Sequence, residues 1–192
     1  MPDTTFYFDL GSPYAYLTAE RIGNFLPEPI VWQPISLGAI FKSNGRSSWA
    51  LAGQDTRQAG MAEVGRRARE YGLQPIHWPD PWPTNYLYAM RAVTYAFQAG
   101  CGREFATEAF RQAFAHGDDL AIPENVLDVA ERSGLDPGVT DDATRDPAIK
   151  LALRTTTEAA AARGVFGVPT VAIGDELFWG DDRLEDAAAA MR

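Results

Sequence analysis

Residues 9–17 read Asp-Leu-Gly-Ser-Pro-Tyr-Ala-Tyr-Leu. Ser12 followed by Pro13 is a helix start. A serine oxygen accepts from the orphan N–H groups of a first turn, and proline suits the next position because its own N–H is not needed there. A hydroxyl so placed lies at the positive end of a helix dipole, where an anion or a thiolate is stabilised. Two readings stand side by side. Ser12 is a cap, or it is a cap that also donates a hydrogen bond to a bound thiolate and lowers its pKa. A serine nucleophile would need a base beside it, and the two histidines, His77 and His116, are remote in sequence.

Two other stretches carry chemical potential. In Gly164-Val-Phe-Gly-Val168-Pro169-Thr170 a glycine-rich turn leads into a proline at the first residue of a strand, a position where proline is permitted. Trans is the default for such a bond. A cis Val168–Pro169 bond would instead present the backbone of Val168 to an extended, peptide-like ligand, as an added strand would be met. In Trp179-Gly-Asp-Asp-Arg183 two carboxylates open a helix, as the dipole favours. Asp182 with Glu185 reads as a capping box. The same pair could accept an ammonium group.

These residues need elements to hold them. Residues 5–10 are aromatic-rich and read as a strand, 13–26 as a helix, and 29–35 as a second strand. That order suggests a parallel crossover. From 37 to 150 the chain is largely helical, with helices expected over 58–71, 86–98, 104–115, 123–133 and 147–163. The prolines within 78–85 make that segment a rigid aromatic loop. Residues 168–173 and 176–179, joined by Gly174-Asp175, form a hairpin signal, and a last helix starts at Asp182. The order is β-α-β, a helical block, then α-β-β-α. Without the block it is the order of a thioredoxin fold. The expected class is therefore α/β, with a discontinuous thioredoxin-like domain (1–36 and 147–192) and a helical insertion domain (37–146).

Bulk composition narrows the function. With 192 residues, 46% hydrophobic and 22% charged, the chain is an ordinary globular one, long enough for one compact domain with an insertion or for two small lobes. A formal net charge of -9 argues against binding nucleic-acid backbone. Arg66, Arg67 and Arg69 cluster, but Glu63 and Glu70 flank them, so a solvated helix face is expected. No apolar run is long enough to cross a bilayer, and no basic-then-apolar leader opens the sequence. The single Cys101 cannot form an intramolecular disulfide, and neither histidine has metal-ligand spacing. A cytoplasmic protein without a metal is expected.

The blocks Phe6-Tyr-Phe-Asp-Leu-Gly-Ser-Pro-Tyr14, Gly164-Val-Phe-Gly-Val-Pro-Thr170 and Leu177-Phe-Trp-Gly-Asp-Asp-Arg-Leu184 closely resemble the 2-hydroxychromene-2-carboxylate isomerase family. Trp82-Pro-Thr-Asn85 is similar to a fourth block. That family is itself similar to kappa-class glutathione transferases and to DsbA-type disulfide oxidoreductases. The resemblance implies a homodimer that uses glutathione, or another low-molecular-weight thiol, on an aromatic carboxylate substrate. It implies that Ser12 faces the cofactor's sulfur and that Val168, before a cis Pro169, pairs with its cysteinyl backbone. Asp181 and Asp182 would hold the γ-glutamyl end, Asp182 being the better match. Asn44 would lie near the cofactor, as would Arg57, which stands where the family has a lysine. Trp49, Trp82 and Tyr86 would wall the substrate, and Arg91 would meet its carboxylate. DsbA-type relatives begin the first helix with Cys-x-x-Cys. Here those positions are Ser12 and Ala15, so dithiol cycling is excluded, and Cys101 reads as a small buried hydrophobe. The implied reaction is a cis-trans isomerisation by reversible thiol addition. A kappa-type transferase and a non-enzymatic binding protein are the alternatives.

Overall fold

The computed structural model describes residues 3–191. In chain order its elements are β1 (Thr4–Phe8), α1 (Pro13–Ala19), α2 (Ile22–Phe25), β2 (Ile30–Pro34), α3 (Leu37–Asn44), α4 (Gln54–Glu70), α5 (Leu87–Gln98), α6 (Gly102–Arg111), α7 (Pro123–Arg132), α8 (Pro137–Arg145), α9 (Pro147–Ala162), β3 (Thr170–Ile173), β4 (Glu176–Trp179) and α10 (Leu184–Ala189). The strands form one mixed sheet in the order β2-β1-β3-β4. β1 runs parallel to β2, with Phe6 opposite Trp32, and antiparallel to β3, with Tyr7 opposite Thr170. The hairpin pairs Thr170 with Trp179. This is the α/β thioredoxin-like arrangement expected, with α3 to α8 inserted between the β2 and α9 ends of its two halves.

One continuous hydrophobic cluster joins sheet and insertion. It runs from Phe6, Phe8 and Trp32 through Tyr16 and Leu17 to Met90, Phe105, Phe110 and Val126. A smaller cluster on the other face packs Tyr7 and Ala172 against Ile35, Ile40 and Ala160. The sheet is thus covered on both sides, which fixes the β1–α1 junction between them.

The elements depart from the sequence expectations in several places. The helix expected over 13–26 breaks after Ala19, where Arg21 turns inward and lays its guanidinium 3.5 Å over the Tyr71 ring. Neither α3 nor α8 is among the expected helices, although Ser36 caps the first and Asp136 caps and Pro137 opens the second, the signal that Ser12-Pro13 carries. The capping box of Asp182 with Glu185 is absent. Gly180, at φ +120°, feeds a short 3-10 turn over Asp181–Arg183 first, and Asp182 turns instead toward Arg67.

Candidate functional site

Ser12 is the N-cap of α1. Its Oγ accepts from the Ala15 N–H at 3.2 Å, and its own N–H donates to the Asp9 carbonyl at 3.0 Å. Acting as an acceptor toward the helix leaves the hydroxyl proton available. The cap and the donor to a ligand are therefore compatible roles for one side chain. The side chain is nearly buried but lines a cavity of ≈ 880 Å³.

The walls of that cavity come from several stretches of the chain, Arg67 of α4 and Met90 of α5 among them. The β1–α1 junction contributes Asp9, Gly11, Ser12 and Tyr14. The start of α3 contributes Ser36 to Ala39, and the turn after it contributes Arg46 to Leu51. The aromatic loop contributes Trp82 to Tyr86. The hairpin side contributes Gly167, Val168, Pro169 and the segment 179–182. Asp9 ties the first two together: Oδ1 accepts from the Gly11 N–H at 2.9 Å and Oδ2 from the Leu37 N–H at 2.7 Å. Burial pushes the Asp9 carboxyl above its ordinary pKa, and the two N–H donors pull it part of the way back.

The Val168–Pro169 bond is cis. Val168 precedes the β3 ladder, which starts at Thr170, and its backbone makes no hydrogen bond with another described residue. A main-chain donor and acceptor are thus left at the cavity wall, the requirement for pairing with an extended ligand.

Asp181 and Asp182 differ sharply. Asp181 is 1% exposed. Its carboxylate accepts from Arg67 Nη1 at 2.7 Å and from the Tyr71 hydroxyl at 3.0 Å, and its carbonyl from Arg21 at 3.3 Å. Burial raises its pKa and Arg67 opposes the rise. Asp182 has a 56% exposed side chain whose one cationic partner among the described residues, Arg67, is 3.3 Å away. Burial works against the charge of Arg67, but Glu63, Asp181 and Asp182 outweigh it and hold the guanidinium ionised. Asp181 is spent inside the protein. Asp182 is the carboxylate of the two that stays exposed at the cavity.

The other sequence candidates divide. Trp49, Trp82 and Tyr86 line the cavity, with Trp49 and Trp82 packed at 5.4 Å between ring centroids. Asn44 is exposed and donates from Nδ2 to the Phe166 carbonyl at 3.3 Å, outside the cavity lining. Arg57, in the first turn of α4, and Arg91, in α5, are half-buried and do not line it either. Cations do reach the cavity, but they are Arg46 and Arg67. Arg46 lies 4.9 Å over the Phe166 ring and forms no ion pair with another described residue. The signal for Arg67 was available: Val64, Arg67, Ala68 and Tyr71 share one helical face, and Val64 and Ala68 are fully buried. Arg66, one step round the helix, takes the solvated role, pairing with Glu63 and Glu70.

The cavity thus offers a hydroxyl at a helix start, an unpaired stretch of main chain, an exposed carboxylate at one end and a free guanidinium at another. Indole and phenol rings close the remainder. Such a set can meet a small zwitterionic molecule and a flat apolar one. Among the described residues no cluster of metal-ligating side chains occurs, and no helix is long and apolar enough to cross a membrane.

Comparison with known proteins places the fold among known ones. A family described as "DSBA-like thioredoxin domain" matches residues 4–192. The chain is 29% identical over 190 residues to a 2-hydroxychromene-2-carboxylate isomerase of Sphingobium xenophagum, covering 94% of this chain and 93% of that protein. It is 26% identical over 196 residues to human glutathione S-transferase kappa 1, covering 93% and 86%. A solved structure of a 2-hydroxychromene-2-carboxylate isomerase superposes with a TM-score of 0.86 at 25% identity, covering 98% of this chain and 93% of that one.

Proposed function

The chain belongs to the DSBA-like thioredoxin domain family, and from that premise we propose that it is a thiol-dependent cis-trans isomerase of conjugated aromatic acids resembling 2-hydroxychromene-2-carboxylate, with glutathione as the thiol. One observation carries the reading. Ser12, not a cysteine, caps the helix at the cavity, Ala15 follows three residues on, and the single Cys101 lies outside the cavity lining. The protein has no dithiol with which to exchange disulfides, yet it keeps a place suited to a thiolate.

A bound thiol supplies the nucleophile: its addition to a conjugated double bond leaves a single bond free to turn, and its departure restores the double bond. The chain's own residues do the rest. Ser12 donates its hydroxyl proton toward the sulfur and favours the ionised form. Val168 pairs with the backbone of the cysteinyl unit. Asp182 takes the ammonium, and Arg46 supplies a cation for a carboxylate of the bound molecules. Trp49, Trp82 and Tyr86 sandwich the flat substrate and exclude water.

The kappa-class relative keeps a second outcome open, in which the sulfur stays on the product. Incubating the protein with glutathione and 2-hydroxychromene-2-carboxylate separates the two. A new geometric isomer with all glutathione recovered supports the isomerase. A stable thioether supports a transferase. Turnover that continues after complete removal of thiols would overturn both.

A further inference from the structure

The loop that carries Trp82 and Tyr86 into the cavity has few bonds to hold it. Pro79, Pro81 and Pro83 bring no N–H. Among the described residues no main-chain group of 78–85 hydrogen-bonds to another main-chain group. The ends are fixed: the His77 N–H donates to the Phe114 carbonyl at 2.8 Å, and Tyr86 leads into α5. Between them the loop is held by ring packing, Trp82 on Trp78 at 4.6 Å and on Trp49 at 5.4 Å between centroids. Aromatic pairs tolerate separations of about 4.5–7 Å, so such contacts do not by themselves fix where the loop stops.

One hydrogen bond sets that point. The Thr84 hydroxyl donates to Asp119 Oδ1 at 2.6 Å, a short bond of the kind a carboxylate accepts. Thr84 stands midway in the chain between the two wall residues Trp82 and Tyr86. Asp119 lies outside the cavity lining and is itself held. The same Oδ1 accepts from the Ala121 N–H at 2.9 Å. The Asp119 carbonyl accepts from the Ile122 N–H at 3.1 Å and from Asn125 Nδ2 at 2.8 Å. These bonds lock the turn that enters α7, and the fully buried Leu120 anchors it in the core.

We propose that Asp119 is a positioning residue for the aromatic acid: through Thr84 it holds the loop at the place where Trp82 and Tyr86 receive a flat ring. The proposal rests on the isomerase reading for its substrate, and the residue it assigns lies behind the wall. With the bond in place the wall is formed before the acid arrives. Without it the loop takes up other positions, binding has to order it, and affinity falls by what that ordering costs. The thiol side of the cavity is spared, because Ser12, Val168 and Asp182 sit on other segments of the wall.

The test uses the full chain and 2-naphthoate as a flat aromatic carboxylate probe, with binding followed by calorimetry. The wild type is expected to bind it. Thr84→Val keeps the side-chain shape and removes the hydroxyl, and Asp119→Ala removes the acceptor. Each should weaken naphthoate binding about tenfold, the low end for a hydrogen bond to a charged group. Thr84→Ser should bind as the wild type does. The double variant should bind no more weakly than either single one, because both changes remove the same tether. Glutathione affinity should be unchanged in all of them. With the conjugated aromatic acid as substrate, KM should rise about tenfold while kcat holds. A wild type that leaves the probe unbound, an Asp119→Ala variant that binds it normally, losses that add in the double variant, or an equal loss of glutathione affinity overturns the positioning role. Should Asp119→Ala fail to fold, Thr84→Val against Thr84→Ser decides. If naphthoate binding depends on the tether while the wild type shows no thiol-dependent isomerisation, the isomerase reading falls and the positioning role stands.

Discussion

Arg67 of α4 reaches across the cavity mouth to Asp181, with Nη1 2.7 Å from Oδ1. With its second pairing, to Asp182 at 3.3 Å, Arg67 thereby joins the helical insertion to the hairpin side of the fold. Asp181 is 1% exposed and Arg67 is largely covered. Removing the guanidinium strands a buried carboxylate that keeps only the Tyr71 hydroxyl. Arg67→Met is expected to cost about 3 kcal/mol, the lower end of the range for breaking a buried pair. Asp182→Asn should cost nearly nothing in stability, because that side chain is 56% exposed. Urea unfolding of both variants checks the contrast. Equal losses would mean that the two carboxylates share the structural role.

Ser12→Ala separates the cap from the donor. Loss of the Oγ contact to Ala15 N–H should lower stability by about 1 kcal/mol. The proposed donation to sulfur makes a second demand: the pKa of bound glutathione, followed by thiolate absorbance, should rise and turnover should fall. A variant that loses the cap energy while turning over at the wild-type rate would leave Ser12 with a structural role only.

The β-α-β start and the closing hairpin were legible because their signals are local: aromatic runs bounded by Gly-Ser-Pro and Gly-Asp. Ser12, Val168 and Asp182 sit at turns whose chemistry is written in two or three residues, and all three line the cavity; Trp49, Trp82 and Tyr86 are named only through the resemblance. The cations were not legible locally. Arg57 and Arg91 lie away from the cavity while Arg46 and Arg67 line it, because which helix faces the sheet is decided by long-range packing. Arg67 stands one helical step from the solvated Arg66, and only the buried neighbours Val64 and Ala68 mark its face as the inner one.

Stability should depend on pH through Asp9. Its pKa is raised in the folded chain, chiefly by burial, so the native state holds that proton more tightly than the unfolded chain does. The associated stability is full below the unfolded value, about pH 4, and is lost as pH rises through the folded value. Asp181 acts in the same direction. Glu63, held down to about 2 by its bonds to Arg66 and Arg67, acts oppositely, losing its contribution only as pH falls below about 4.5. Asp9→Asn should therefore flatten the decline above about pH 4, at a uniform cost of about 1 kcal/mol for one lost backbone hydrogen bond. Urea midpoints across a pH series read both effects. An unchanged slope would show that Asp9 titrates alike in both states.

Gly60 sets the position of Trp49, and replacing it with alanine pits two effects against each other. In an exposed helix interior the change would gain about 1 kcal/mol. Here the new Cβ would stand 2.3 Å from Trp49 Cε3 and Cζ3, inside any tolerable contact, so the indole has to move. Overpacking of this kind costs about 1–3 kcal/mol, and the net expectation for Gly60→Ala is a loss of about 1 kcal/mol. The consequence for the site is more specific. Trp49 packs on Trp82 at 5.4 Å and on Tyr14 at 6.1 Å between centroids, so its displacement away from α4 narrows the cavity on the aromatic side. KM for the aromatic acid should rise while glutathione affinity holds, because Ser12, Val168 and Asp182 are untouched. Steady-state kinetics with each ligand varied in turn, alongside calorimetry for the thiol, would show it. A matching loss of thiol affinity would place Trp49 against the cofactor instead of the substrate.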